Sequence, residues 1–166
     1  MKSLLSVIDR LSRFIGKITS YIMFLVVAIV SYEVSMRYLF HRPTLWASEA
    51  MIFCCGFVYV LGAAWTLLEN RHVKIDIVWE KLSPRGRRLL NVITFIFFLL
   101  YMVLMLREGS RFALDSFELR ETSGSPWDPP VYPLKVAFVV GIVMLILQGT
   151  SKFIRDLYFV IKGKEL

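Results

Sequence analysis

Residues 18–32 and 50–68 carry no charge, and so do residues 89–106 further along. A fourth apolar run, 131–150, is interrupted only by Lys135. A helix needs about 20 apolar residues to cross a bilayer, so the pattern predicts four spans at about 17–38, 46–68, 88–106 and 131–150. Outside them the periodicity is that of an amphipathic helix. Residues 2–15 set Leu4, Leu5, Val7, Ile8, Leu11 and Phe14 against Lys2, Asp9, Arg10 and Arg13, a stripe suited to the membrane surface. The segment 72–82 reads two ways. As a helix it lines up Ile75, Val78, Trp79 and Leu82, while its first residues alternate like a strand; the interfacial helix is the preferred reading. Ser83 followed by Pro84 has the form of a helix start. The expected fold is therefore an all-α membrane protein, residues 1–166 forming one transmembrane domain of four helices plus interfacial segments.

Composition agrees, with 57% hydrophobic residues and a mean hydropathy of +0.61, both high for a soluble domain. A net charge of +7 would suggest nucleic acid in a soluble chain, but here its placement explains it. Lys2, Arg10, Arg13, Lys17, Arg71, Lys74, Lys81, Arg85, Arg87, Arg88, Lys152, Arg155, Lys162 and Lys164 share one side of the predicted topology. Only Arg37, Arg42, Arg107, Arg111, Arg120 and Lys135 fall on the other. The positive-inside bias then places both termini in the cytoplasm and leaves no case for a nucleic-acid partner.

The stretch Glu33–Glu49 (EVSMRYLFHRPTLWASE) joins the first two spans. Glu33 and Arg37 have the acid-first spacing of a helical ion pair, and Arg42 and Glu49 lie just across the turn. A proton or cation site is one reading of these four charges; a structural clasp between the helices is the favoured one, because each carboxylate has an arginine in reach. Trp46, Trp65, Trp79 and Trp127 stand near predicted span ends as interfacial anchors. Gly56, Gly62 and Ala63 in the second span, and Ala137, Gly141 and Gly149 in the fourth, offer small-residue faces for close helix contact. His72 and Asp76, at i and i+4, read as a helix-face pair in the inner loop. Adjacent Cys54 and Cys55 suit neither a disulfide nor a metal site. With only His41 and His72, on opposite sides of the predicted membrane, a bis-histidine heme has no ligands. The residues offer no catalytic, cofactor or metal site, and no span has the mid-depth charge of a solute pathway.

The order of these features resembles the small membrane subunit of tripartite ATP-independent periplasmic (TRAP) transporters, the DctQ-like proteins. The resemblance rests on Glu33, Arg37, Tyr38 and Phe40, then Pro43, Trp46 and Glu49, then Gly62, Ala63, Ala64 and Trp65. It continues through His72, Val73, Asp76, Leu82, Ser83 and Pro84 to Ser125, Trp127, Pro130, Pro133, Gly141, Leu147 and Gln148. It implies a multi-pass protein of the bacterial inner membrane, surrounded by lipid, with two partners: a large multi-span subunit that carries the solute and a periplasmic binding protein that delivers it. It also implies sodium-gradient-driven uptake of an organic acid, no enzymatic activity, and the unfused form of the subunit. Rival readings are a small four-helix multidrug exporter, which needs a deeply placed Glu and little charge bias, and the membrane anchor of a redox enzyme, which needs heme ligands or a quinone pocket.

Overall fold

A computed structural model describes residues 2–71 and 82–163. They form four helices long and apolar enough to cross a membrane: α1 (Lys2–Tyr38), α2 (Ala47–Leu68), α3 (Pro84–Glu118) and α4 (Tyr132–Lys162). No strand occurs among the described residues, only an isolated bridge between Thr122 and Pro130. The segment expected as an interfacial helix, with His72, Asp76 and Trp79, lies outside the described residues except for Leu82.

α1 is one helix of 37 residues, about 55 Å long at about 1.5 Å per residue. The pattern separates a surface segment, 2–15, from a first span; the structure joins them without a break. Nothing in the sequence interrupts the backbone there, since Gly16 is the one weak helix former and it is placed for packing. A Cβ on Gly16 would stand 2.4 Å from Cδ2 of the Trp65 indole ring. The start of α3 follows the sequence: Ser83 caps it, its hydroxyl accepting from the Gly86 N–H at 3.2 Å, with Pro84 in the first turn.

The helices stand in the order α1, α2, α4, α3, so the fourth in sequence is central. α2 and α4 run parallel, and α1 and α3 run antiparallel to them on either side. Small residues set the approach. A Cβ on Gly141 would stand 2.7 Å from the Val60 carbonyl oxygen, and one on Gly56 would stand 2.9 Å from Leu134 Cδ1. Gly149 makes room for the Phe98 ring, and Gly109 for Phe138. Ala137 is buried and Ala63 half-buried, whereas Gly62 has open space before Thr19. α3 packs only on α4 and turns most of its aliphatic and aromatic side chains outward, Ile96, Phe97, Leu100 and Leu104 among them.

Burial is inverted relative to a water-soluble bundle. The largest side chains wholly inside are Gln148, Ser12, Ser116 and Ser151, while Phe24, Tyr59 and Phe97 face out. Lipid solvates apolar side chains as well as the protein interior does, so small and polar groups share the inside with a few apolar ones, Leu5, Val26, Ile142 and Met144. The packing makes a paired prediction. Gly141→Ala forces a methyl onto the Val60 backbone and lowers stability by roughly 1–3 kcal/mol. Gly62→Ala, whose Cβ would meet nothing nearer than Thr19 Oγ1 at 3.7 Å, is neutral or stabilising. Thermal midpoints of the detergent-purified variants, followed by gel filtration, distinguish the two.

Candidate functional site

The polar side chains gather at the two ends of the bundle. At the end carrying the α1–α2 turn, Arg37 donates to Glu33 Oε1 from Nη2 at 2.6 Å and from Nε at 3.1 Å. The other Glu33 oxygen accepts the Thr44 backbone N–H at 3.1 Å and the Thr44 hydroxyl. The turn is tight enough for this because His41 adopts a left-handed backbone, φ 54°, and the Arg42 N–H returns to the Met36 carbonyl at 2.9 Å. Glu33 thus fastens the turn onto the helix that precedes it.

The four charges expected as one clasp do not come together. Glu49 turns away from the α1–α2 turn and accepts from the Ser125 hydroxyl at 2.6 Å. Arg42 forms no ion pair among the described residues and is exposed. The reason is the path of the turn, which presents Thr44 rather than Arg42 to Glu33. Ser125 in turn accepts the N–H groups of Trp127 and Asp128, at 3.2 and 3.0 Å, so Glu49 holds the α3–α4 loop through its organising residue. Trp46 links both turns, its ring 6.0 Å from Tyr32 and 6.4 Å from Trp127. Trp46 and Trp127 remain partly exposed, as interfacial residues are, but Trp65 lies against Gly16 between α1 and α2. Its indole N–H is buried without a partner among the described residues. Across the same end Lys135 pairs with Glu121 and lies 3.6 Å from the centre of the Phe112 ring.

The opposite end holds the network that sequence reading misses. Gln148, 1% exposed, accepts from the Ser12 hydroxyl at 2.9 Å and donates to Asp9 at 3.1 Å, while Arg155 donates to the other Asp9 oxygen at 2.6 Å. These bonds tie α1 to α4. Asp156, 6% exposed, accepts from Asn91 at 2.8 Å and pairs with Arg88 at 3.4 Å, tying α3 to α4. Arg88 also stacks over Phe159, and Lys152 donates to Asn70 at the end of α2 at 2.7 Å. α4 is the common partner of all three neighbours. A signal was present for two of them: Gln148 and Asp156 are polar residues in a largely apolar helix, and such residues require partners when buried.

Chemically these groups are fasteners. Each buried carboxylate meets a cation or an amide, and among the described residues no three His, Cys, Asp or Glu side chains converge as a metal site would require. Cys54 and Cys55 are free thiols, both half-buried.

Comparison with known proteins identifies the arrangement. The family model of the DctQ component of tripartite ATP-independent periplasmic transporters matches residues 26–158. The chain belongs to the DctQ family. A putative TRAP transporter small permease protein of Haemophilus influenzae is 26% identical over 160 residues, covering 93% of this chain and 96% of that protein. The C4-dicarboxylate TRAP transporter small permease protein DctQ of Vibrio cholerae is 28% identical over 74 residues, 45% of this chain and 32% of that one. The match to the DctQ model spans both polar ends of the bundle except the N-terminal part of α1, and it takes in Glu33, Glu49, Ser125, Gln148 and Asp156. DctQ proteins are transporter components, not enzymes, so this is a membrane subunit whose family membership implies partner TRAP subunits.

Two outcomes follow. Gln148→Leu leaves Ser12 and Asp9 without their amide partner and costs about 1–3 kcal/mol. Adding Ser12→Ala recovers part of that loss, a coupling readable as a double-mutant cycle in thermal melts. Glu121 lies outside the spans, and its hydrogen bond from Lys135 holds its carboxyl below the ordinary carboxylate range. A lowered folded-state value means the pair stabilises the loop above the range of the unfolded carboxyl, and the contribution disappears as pH falls through the lowered value. Wild type should therefore melt above Glu121→Gln at neutral pH, with the gap closing in acid.

Proposed function

We propose that this chain is the small permease subunit of a TRAP transporter of the bacterial inner membrane, with both termini cytoplasmic. There it acts as a stationary scaffold against which a large subunit moves its solute-carrying part. Uptake is driven by a sodium gradient, and the solute is an organic acid delivered by a periplasmic binding protein. The observation that carries the scaffold reading is the use of the polar groups. Asp156, which is buried, and Asp9 and Glu33, which are half-buried, are each bonded to neighbouring residues of the same chain near the ends of the bundle. None is left at mid-depth to bind a coupling ion or a substrate, and the described cavities in mid-span have apolar walls.

Further support comes from the outer end, where Glu33, Glu49 and Lys135 each brace a turn or loop. A body braced at both ends suits a fixed role, since alternating access of the elevator kind is motion of one bundle against another. The charge split between the two ends supports the orientation. The Vibrio cholerae relative, a C4-dicarboxylate TRAP transporter subunit, supports an organic acid as the solute. Reconstitution in liposomes tests the reading. This chain alone should move no organic acid under a sodium gradient, and the large subunit alone should be slow or unstable, with uptake restored when both and the binding protein are present. Uptake by this chain alone, or undiminished uptake without it, overturns the proposal.

A further inference from the structure

α2 and α3 both pack on α4 yet barely touch each other, so a groove floored by α4 runs between them. At the end that carries the chain termini it opens into a polar cavity of about 400 Å³. Asn70, Arg87, Arg88, Lys152, Arg155 and Asp156 are in its wall. Among the described residues, Arg88 there pairs with Asp156, and Arg155 with Asp9 beside the cavity. The cavity continues into a slot of about 200 Å³ with Leu67, Phe95, Phe98 and Phe153 in its wall; Asn91, Lys152 and Asp156 border both spaces. Beyond it lies a third, apolar space of about 260 Å³ between Tyr59, Met102 and Leu145. The α4 floor from Asp156 to Leu145 is about 16 Å long at about 1.5 Å per residue. That is the depth of one leaflet of a hydrocarbon core about 30 Å thick.

We propose that this groove is a binding site for one anionic phospholipid, its phosphate held at Arg87, Arg88 and Lys152 and an acyl chain laid along α4. The argument is the order of the chemistry along the groove. A cationic mouth opens at the membrane surface, and an aromatic slot leads from it into the bilayer depth, which matches an amphiphile with a phosphate at one end. A cation that already has a partner still serves, because a guanidinium carries five N–H donors and an ammonium three. Basic pockets between transmembrane helices recognise acidic headgroups by this means. The aromatic walls explain why the occupant is a lipid rather than a free phosphate, which would have no use for the slot.

The test uses the full-length purified chain in zwitterionic detergent, with phosphatidylglycerol, phosphatidylcholine of the same acyl chains, and inorganic phosphate as probes. Native mass spectrometry should find one phosphatidylglycerol per chain, retained about tenfold better than phosphatidylcholine, and the same lipid should raise the melting temperature. Lys152→Gln with Arg87→Gln should abolish the preference, and Lys152→Arg should keep it. A Phe95→Trp reporter places a fluorophore in the slot. Its emission should be quenched by phosphatidylglycerol brominated on the acyl chain, which locates the lipid even where the double variant does not fold. Equal retention of the two lipids overturns the proposal. So does a melting shift reproduced by inorganic phosphate alone, which reduces the site to an anion pocket, or loss of the bound lipid when the large subunit is added, which assigns the groove to a protein helix.

Discussion

A bilayer offers helices no hydrophobic reason to associate, because a leucine facing lipid is as well solvated as one facing protein. Everything that holds this bundle together must therefore come from contacts that lipid cannot imitate. Two kinds are available, and the chain uses both. Close approach over glycine, as where Gly141 meets the Val60 backbone, gains dispersion that a lipid tail packs less well. Hydrogen bonds between buried polar groups, as in Ser12–Gln148–Asp9, satisfy groups that hydrocarbon would leave bare at a cost of several kcal/mol each. The second kind fixes register as well as affinity, since Gln148 meets both Ser12 and Asp9 only when α1 stands at one height against α4.

That constraint explains why α4 is central. It carries small residues at three levels, Ala137, Gly141 and Gly149, together with Gln148, Lys152, Arg155 and Asp156 over its last turns. With three neighbours to hold, it has the highest fraction of its span buried. α3 lies at the other extreme. Its apolar surface is nearly continuous, and its attachment is a single seam on α4 running from Arg88–Asp156 through the stacked rings of Phe95 and Phe153 to Phe117–Tyr132. The groove between α2 and α3 is a geometric consequence of this, because two helices seated on the same third one leave a cleft between them.

What sequence could reveal divides along the same physical line. Apolar run length is a local property, and it placed the four helices; so did the serine-proline start of α3, where the capping hydroxyl and the proline are adjacent in the chain. Gly56, Gly141 and Gly149 were legible as contact points because a small residue in an apolar helix has few other uses. Gly16 and Gly109 do the same work but stand beside charged residues, Lys17 and Glu108, which hid them. For the polar ties, what could not be read was the partner of each residue. Asp9 and Arg155 are separated by nearly the whole chain, and only the antiparallel packing of α1 on α4 brings them level. The outer charges show the converse error, for Glu33, Arg37, Arg42 and Glu49 are close in sequence, yet the turn offers Thr44 to Glu33 and leaves Glu49 to the next loop. Proximity along the chain is a good guide within a helix and a poor one across a reversal.

The distribution of ties also bears on how such a subunit would meet a moving partner. α1 is longer than a bilayer is thick, and its first turns are locked to α4 through Asp9 and Ser12 while its last turn is locked to its own exit through Glu33. A helix held at both ends cannot slide along its axis without breaking buried bonds at one of them. The same holds for α4, bound by Lys135–Glu121 at one end and by Gln148 and Asp156 at the other. Between the ends the contacts are apolar and non-directional, so bending or breathing there costs little, but vertical displacement of one helix past another costs several hydrogen bonds at once. Such a body yields sideways and resists axial shear, as the scaffold role proposed above requires.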